Sequence, residues 1–254
     1  MIMIAVFKNH FGRIQKVAVI ALWICLFSLF ASSLHAQTTE KVTWDYPLKY
    51  GSPEWSELKT VEEQFNAYNI PDEIIKNIST EELVKVCMLY PEWGLMNAYN
   101  SRQSGFGVLV SRFNGFQELF KRGDAAIVLM KEYDKLDPLE ASPDWTPLQQ
   151  GKYSFQFTKI EMFLCQKSMI DKLDNADIIV LKEMAVSKYQ KKRMFPEIYS
   201  LWSISPTVGI CVEIIKKEDA ALFERSSEMN YFRHNLMTDD LSFLDSVVEH
   251  FNKN

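Results

Sequence analysis

The chain has 254 residues, of which 47% are hydrophobic and 24% are charged, and its formal net charge is −5. This length is enough for one domain, or two small ones, with a sizeable buried core. Nucleic-acid binding needs a basic surface, so the acidic balance leads us to expect no nucleic-acid partner. Lys191-Lys192-Arg193 is the one dense basic run, and at a helix end it is expected to complement the helix dipole.

Residues 1–36 have the pattern of a secretory signal peptide. Lys8, Arg13 and Lys16 precede an apolar run over 17–31, and a small-residue stretch follows it and ends at Ala36. We expect cleavage near Ala36, so that the mature protein begins near Gln37 and is exported to the periplasm or the cell surface. Removing this segment takes the net charge from −5 to −8 and leaves 218 residues.

Other interpretations of this leader remain open. Cleavage after Ser33 is an alternative, and an uncleaved leader would anchor the protein in the envelope. Lipidation at Cys25 is disfavoured because bulky Trp23 and Ile24 stand where a lipoprotein box needs small residues. The apolar run is too short for a comfortable membrane span, and we expect no transmembrane domain in the mature chain.

The rest of the chain is divided by prolines. Five of them precede an acidic residue, which is typical of a helix start because proline suits the first helical position and an acid meets the positive end of the helix dipole. The five pairs are Pro53-Glu54, Pro71-Asp72, Pro91-Glu92, Pro143-Asp144 and Pro196-Glu197. Ser205 before Pro206 is interpreted in the same way, as a cap before a helix.

Apolar residues recur at helical spacing between these starts. We predict an N-terminal aromatic arm over 37–52 and a single all-helical domain over 53–254, an irregular multi-helix array or α-solenoid-like bundle of about ten short helices. Segment 153–158 alternates as a strand would, but without a partner strand it is assigned to a helix. The predicted helices cover 53–68, 71–77, 79–90, 102–112, 115–121, 123–136, 153–171, 175–192, 206–217 and 238–252.

The cysteines and histidines suggest no metal or cofactor. Cys87, Cys165 and Cys211 lie far apart among apolar neighbours, which favours buried free thiols, with one disulfide and one leftover thiol as the alternative. His234 and His250 are the histidines that follow the leader. A carboxylate-assisted His234 is conceivable as a general base, but a surface histidine is the simpler interpretation.

Motifs of metal hydrolysis, serine hydrolysis and nucleotide binding are absent from the sequence, so catalysis is less expected than binding. Acidic pairs offer carboxylates for a hydrolase, but adjacent acids on a helix diverge and are expected on solvated faces or in first turns. These pairs are Glu62-Glu63, Glu81-Glu82 and Asp239-Asp240.

The aromatic residues are the best candidates for a ligand or partner surface. Exposed tryptophan and tyrosine side chains can stack on sugars or anchor a partner protein. Packing into the core is the alternative, and it is the favoured one for the arm and for Trp55, Trp93 and Trp145. The candidate residues are Trp44, Tyr46, Tyr50, Trp55, Trp93 and Trp145.

Several segments resemble a group of uncharacterised exported helical proteins of Bacteroidetes-type bacteria. The resemblance covers most of residues 42–136 and rests on the segments 42–47, 70–72, 80–83, 113–122 and 124–125. It implies export and a helical fold, and it implies no reaction and no ligand.

The sequence thus favours an exported helical binding or interaction module with a protein or glycan partner in the envelope. Two other hypotheses stay open. One is a carboxylate-dependent glycan or peptide hydrolase whose site is assembled from distant residues. The other is a structural envelope protein that is anchored by an uncleaved leader.

Overall fold

The computed structural model describes residues 42–253, and every regular element within that range is a helix. The predicted all-α class is therefore confirmed. The predicted leader, residues 1–36, lies outside the described residues. From Val42 onward the chain forms one compact unit.

The elements follow one another with short connections. The first half contains α1 (Pro53–Glu57), α2 (Val61–Asn66), α3 (Asp72–Asn77), α4 (Thr80–Met88), the 3₁₀ helix η1 (Pro91–Ala98), α5 (Arg102–Arg112), α6 (Asn114–Lys121) and α7 (Ala125–Asp134). The second half contains the 3₁₀ helix η2 (Pro138–Glu140), α8 (Pro147–Leu164), α9 (Lys167–Ile170), α10 (Asn175–Arg193), α11 (Leu201–Glu218), α12 (Ala220–Arg225), α13 (Ser227–Asn235) and α14 (Leu241–Lys253).

Three of the five proline–acid pairs lie at the beginning of a helix. Pro53 and Pro91 occupy the first position of their helices, and Pro71 directly precedes α3. Pro143 and Pro196 lie in turns, so the prediction of helix starts there was wrong. After Pro143 the helix begins only at a capping box, in which the Thr146 side chain accepts from the backbone N–H of Gln149 and the Gln149 side chain accepts in return.

The predicted helix over 53–68 is in fact two helices. The Glu63 carboxylate accepts the backbone N–H groups of Lys59 at 2.6 Å and Thr60 at 3.0 Å, and the Thr60 hydroxyl accepts from the N–H of Glu63. This capping box starts α2 afresh and ends any continuation of α1. The predicted helix over 153–171 is likewise interrupted, since α8 begins six residues earlier at Pro147 and ends before α9.

The helix predicted to start at Pro206 begins five residues earlier, at Leu201, and Pro206 lies inside it. Proline has no N–H, so the carbonyl of Trp202, four residues before it, loses its donor within the helix. Nη1 of the buried Arg102 donates to this carbonyl instead. A residue about a hundred positions away in the sequence therefore replaces the missing helical bond.

Four helices lie outside the predicted ranges: the 3₁₀ helices η1 and η2, and the α-helices α12 and α13. Side-chain caps start the last two, because Asp219 accepts from the N–H of Leu222 at 2.9 Å and Ser226 from that of Met229 at 3.1 Å. Both helices are short, and both pack against α11. Periodicity alone therefore gives a weak signal for them.

Helix α11 is the centre of the second half. Its residues from Ser203 to Ile215 are buried, and it packs against α8, α10, α13 and α14. The first half is held by an aromatic core in which Tyr90 stacks on Phe113 at 4.4 Å between ring centroids and Phe116 meets Phe163 at 5.0 Å. Helix α8 carries Phe163 and also packs on α11, so it joins the two parts of the core.

Cys87, Cys165 and Cys211 are buried and free, which confirms the prediction of buried thiols. Burial raises the pKa of the Cys211 thiol to about 12 and that of Cys87 well above its usual value. At neutral pH all three therefore act as small apolar side chains.

Among the described helices, none has both the length and the apolar content that crossing a bilayer requires.

Two glycines on α5 give a matched test of packing. A Cβ at Gly105 would lie 2.1 Å from the carbonyl oxygen of Met96 on η1, whereas a Cβ at Gly107 meets nothing within 4 Å. We expect Gly105→Ala to lower the free energy of unfolding by at least about 2 kcal/mol, because backbone must move. Gly107→Ala should raise it by about 0.5–1 kcal/mol through helix propensity. Urea denaturation measures both, and equal effects at the two positions would contradict the close approach of α5 to η1.

Candidate functional site

An open groove of about 620 Å³ lies between α4, α7 and α8. It is bordered by the C-terminal ends of α4 and α7 and by the middle of α8. The lining residues are Val84, Lys85, Met88 and Leu89 at the end of α4, Glu132, Lys135 and Leu136 at the end of α7, and Lys152, Phe155, Gln156, Lys159 and Ile160 on α8.

The floor of the groove is apolar because each helix turns one helical face toward it. Val84 and Met88 are four residues apart on α4, and Phe155 and Ile160 lie on the corresponding face of α8. Leu89, just past the end of α4, has 69% of its surface exposed. Exposed apolar surface of this kind beside polar residues is typical of a binding site.

Four lysines surround this floor, whereas Glu132 is the single carboxylate among the lining residues. Lys85 pairs with Glu82 and Lys135 with Glu132, each at 2.6 Å. Both lysine side chains are more than half exposed although Glu82 is buried and Glu132 is one-quarter exposed, so each ammonium group can also reach the carboxylates of a ligand. The groove is therefore a positive region on an acidic protein.

Lys159 is the most constrained of the four. Its Nζ donates to the carbonyl of Met88 at 2.7 Å and lies 5.5 Å from the ring centroid of Phe155. Burial lowers the pKa of this ammonium group. An ammonium group has three N–H donors and Met88 takes one, so an acceptor that enters the groove meets a donor held at a fixed position.

A buried polar network lies behind the groove. The Glu161 carboxylate of α8 binds Lys192 Nζ of α10, with 2.7 and 2.9 Å from the two carboxylate oxygens to Nζ. The hydroxyls of Tyr133 and Thr207 donate to the same carboxylate at 2.6 and 2.8 Å. Both charged side chains are 0% exposed.

This network joins two of the three helices that border the groove. Tyr133 is on α7, Glu161 on α8, Lys192 on α10 and Thr207 on α11, so one carboxylate joins four helices. Lys188, one turn before Lys192, donates to the carbonyl of Leu136 in the groove wall. The α7 and α8 walls of the groove are therefore tied to the buried network.

The basic run 191–193 does not act mainly on the helix dipole. Lys192 is buried in the network, Lys191 pairs with Asp137 at 3.0 Å and Arg193 with Asp245 at 3.3 Å. The signal that could have found Lys192 is its spacing, because Lys188 and Lys192 continue the buried stripe of α10 through Leu181 and Ala185.

The six aromatic residues that the sequence singled out do not form one surface. Tyr46, Trp55 and Trp93 are buried, Trp44 and Trp145 are half-buried, and Tyr50 is 82% exposed. The three buried side chains are therefore not available to a partner. Trp145 packs on Tyr153, with 5.3 Å between ring centroids.

From Val42 onward the aromatic arm folds back onto the domain, and its residues 37–41 lie outside the described residues. The Tyr46 hydroxyl donates to the carbonyl of Val86 at 2.9 Å, and its ring lies 5.6 Å from that of Tyr68. Trp55 stacks on the other side of this cluster, with its ring 5.0 Å from Tyr68. Packing of this kind is what the sequence favoured for residues 42–55.

The other candidate groups have local structural contacts. Glu63 closes the capping box of α2, and the Asp240 carboxylate accepts the N–H groups of Ser242 and Phe243 at the start of α14. The Ser242 hydroxyl also donates to this carboxylate at 2.6 Å, and it is the main cause of the lowered pKa of Asp240, with the backbone N–H groups adding to it. His234 contacts the carbonyl of Asn230 within its own helix at 2.7 Å. Within residues 42–253 no group of three or more potential ligands is placed to hold a metal ion.

The groove lysines were missed by the sequence analysis. Lys152 and Lys159 are seven residues apart and flank Phe155, a pattern that marks one mixed face of a helix. Tertiary packing places α4 and α7 beside this face of α8, and no local sequence pattern indicates that arrangement.

Comparison with protein-family models, with curated proteins and with solved structures gives no match to this chain.

Removing one partner of the buried Glu161–Lys192 pair should lower the free energy of unfolding much more than removing both partners. We expect Lys192→Met to lower the free energy of unfolding by about 3–5 kcal/mol, because Glu161 is left as an uncompensated buried charge. Glu161→Gln should have a similar cost, because it leaves Lys192 as an uncompensated buried charge. In the double variant the loss should be smaller than the sum of the two single losses, and urea denaturation measures this coupling.

Lys191→Met is the matched control for the cycle, since Lys191 is partly exposed and its pair with Asp137 should contribute about 0–1 kcal/mol. Additive effects of Glu161→Gln and Lys192→Met would show that the two groups are not coupled.

Tyrosine hydroxyls in the arm provide a second test. Tyr46→Phe removes the bond to the Val86 carbonyl and keeps the ring, so we expect a loss of about 1 kcal/mol in unfolding free energy. Tyr50→Phe, at an exposed position, should change it by less than about 0.5 kcal/mol. Thermal or urea denaturation distinguishes the two, and equal stabilities would mean that the arm does not pack in solution.

Proposed function

We propose that this protein is an exported interaction module that binds an acidic amphipathic helix of a partner protein in the groove between α4, α7 and α8. The observation that carries the proposal is the combination of an apolar floor, lined by Val84, Met88, Phe155 and Ile160, with four surrounding lysines. An amphipathic helix that lays its apolar face in such a groove is a common mode of recognition.

The distribution of charge supports an extended ligand. Lys152 and Lys159 are seven residues apart on α8, which separates their backbones by about 10 Å along the helix axis. Lys85 and Lys135 come from two other helices. An amphiphile with one head group needs charge at one point, whereas a helix with acidic residues along both sides of its apolar stripe matches several separate lysines.

The energetic roles of the two kinds of residue differ. Burial of the exposed apolar side chains, above all Leu89, supplies affinity at about 25 cal/mol per Å² removed from water. The lysines set orientation and raise the association rate, because most of their pairing energy in water is screened. Met88 is unbranched and polarisable, so it can adapt to the side chains of the partner.

The proposed location depends on the leader pattern of residues 1–36. The basic, apolar and small-residue order of that segment supports export to the periplasm or the cell surface. The resemblance to exported helical proteins supports the same location. An envelope partner, rather than a cytoplasmic one, is accordingly proposed.

A designed peptide tests the groove directly. We expect a labelled amphipathic peptide of about 18 residues, with leucines at helical spacing and glutamates on both flanks, to bind the intact domain. Lys152→Glu and Leu89→Asp should each weaken binding at least about tenfold, or about 1.4 kcal/mol. Fluorescence anisotropy gives the affinity, which should also fall as salt is raised.

Matched variants of the groove residues serve as controls. Lys131→Glu on α7 and Leu148→Asp on α8 change exposed residues outside the groove, and each should alter the affinity by less than about twofold. A scrambled peptide of the same composition should not bind. If the scrambled peptide binds equally well, or if dodecanoate occupies the groove and the designed helix does not, the proposed ligand is wrong.

A further inference from the structure

A second cavity, of about 330 Å³, lies where the N-terminal part of α11 meets α13 and the loop before α14. It shares no residue with the groove. Two large aromatic side chains line it, Trp202 with 47% and Tyr231 with 69% of their surface exposed. The other lining residues are Ser205, Met237, Thr238 and Asp239.

Trp202 is held in place by residues beneath it. The guanidinium of buried Arg102 lies over its ring, 5.1 Å from the centroid, and donates to its backbone carbonyl. Pro206 leaves that carbonyl without a helical donor, so the contact satisfies an otherwise unpaired group. Burial lowers the pKa of Arg102 to about 10. Because this value is still above neutral pH, the side chain stays charged. The indole is thus a preorganised platform at the surface.

The polar groups of the cavity are acceptors and hydroxyls. Thr238 accepts the backbone N–H of Asp240 at 3.0 Å, which fixes its hydroxyl. Within the described part of the chain the Asp239 carboxylate makes no hydrogen bond or ion pair. The loop is set by Leu236, which has a left-handed backbone with φ 51° and donates to the carbonyl of Phe232. No lysine or arginine lines the cavity.

We propose that this cavity binds a neutral pyranose residue of a glycan. One face of a pyranose is a patch of C–H groups, which an aromatic face attracts because its quadrupole is negative there. The equatorial hydroxyls of the sugar are donors that need acceptors such as the Asp239 carboxylate and the Thr238 oxygen. The lining contains a carboxylate and no cationic side chain, which disfavours a uronic acid or a phosphorylated sugar.

The size of the cavity agrees with this ligand class. A volume of about 330 Å³ is at the lower end of the range for small-molecule sites, about 300–1,000 Å³, which suits a monosaccharide or one residue of a longer chain. An acidic peptide, the ligand proposed for the groove, is disfavoured here by Asp239. The two sites therefore select ligands of different chemistry.

Saturation-transfer NMR on the intact protein tests the proposal. The probes are methyl β-D-glucopyranoside, methyl β-D-galactopyranoside, methyl α-D-mannopyranoside and N-acetylglucosamine, with glucuronate as the anionic comparison. We expect at least one neutral probe to receive saturation, most strongly at the C–H groups of one ring face. Glucuronate should receive less than the neutral sugar of the same configuration.

Variants assign the binding to this cavity. Tyr231→Ala and Asp239→Asn should each reduce the affinity for the bound sugar at least about fivefold, since each removes an exposed group. Trp202→Phe should keep part of the binding and Trp202→Ala should abolish it. Tyr50→Ala, which removes another exposed tyrosine, should change nothing. Circular dichroism and thermal melting check that each variant is folded.

Two results would overturn the proposal. One is the absence of saturation transfer to every neutral probe at a probe concentration of about 20 mM. A dissociation constant above that concentration would be far too weak for a functional carbohydrate site. The other is sugar binding that survives unchanged in Tyr231→Ala and Asp239→Asn, which would place the sugar elsewhere on the protein.

Discussion

The buried pair of Glu161 and Lys192 is the constraint on which the rest of the structure depends. Two charges with no exposure to water lose their hydration, and well-placed hydrogen bonds must compensate for this loss. Lys192 Nζ satisfies both carboxylate oxygens, and the Tyr133 and Thr207 hydroxyls complete the shell. Burial lowers the pKa of Lys192, and the charge of Glu161 opposes that shift. Such a pair adds little net stability, but we infer that it selects one packing, because a shifted helix would leave a buried charge alone.

Pro206 is the second place where distant residues decide local structure. An interior proline normally ends or kinks a helix, because it removes one hydrogen bond and crowds the preceding turn. Here Arg102 supplies a donor to the Trp202 carbonyl, which has lost its helical donor, and lies against the indole ring of Trp202. The same contact that permits α11 to begin at Leu201 also fixes an aromatic ring at the surface. The hydrogen bond that compensates for Pro206 thus also holds the Trp202 side chain in place.

The sequence predicted the helical class and several boundaries because those depend on local chemistry. Helix α5 has the predicted bounds 102–112, and α10 ends one residue after the predicted position. The errors occur where side chains or distant residues compete with local signals. Glu63 starts a new helix within the predicted helix 53–68, and Arg102 lets α11 pass through Pro206. The groove could not be predicted, because its three walls come from separate segments that tertiary packing brings together, and the buried network joins two of them.

The groove is basic although the chain as a whole has a net charge of −5. An acidic helix that approaches elsewhere meets repulsion from most of the surface, so the lysines around the groove restrict where it can dock. The apolar floor then restricts which acidic segments can stay, because a segment without an apolar face gains nothing by desolvating Leu89 and Phe155. Charge and apolar surface are each common on proteins. Specificity of the proposed kind comes from their combination within one groove, two of whose walls, α7 and α8, are joined by the buried network.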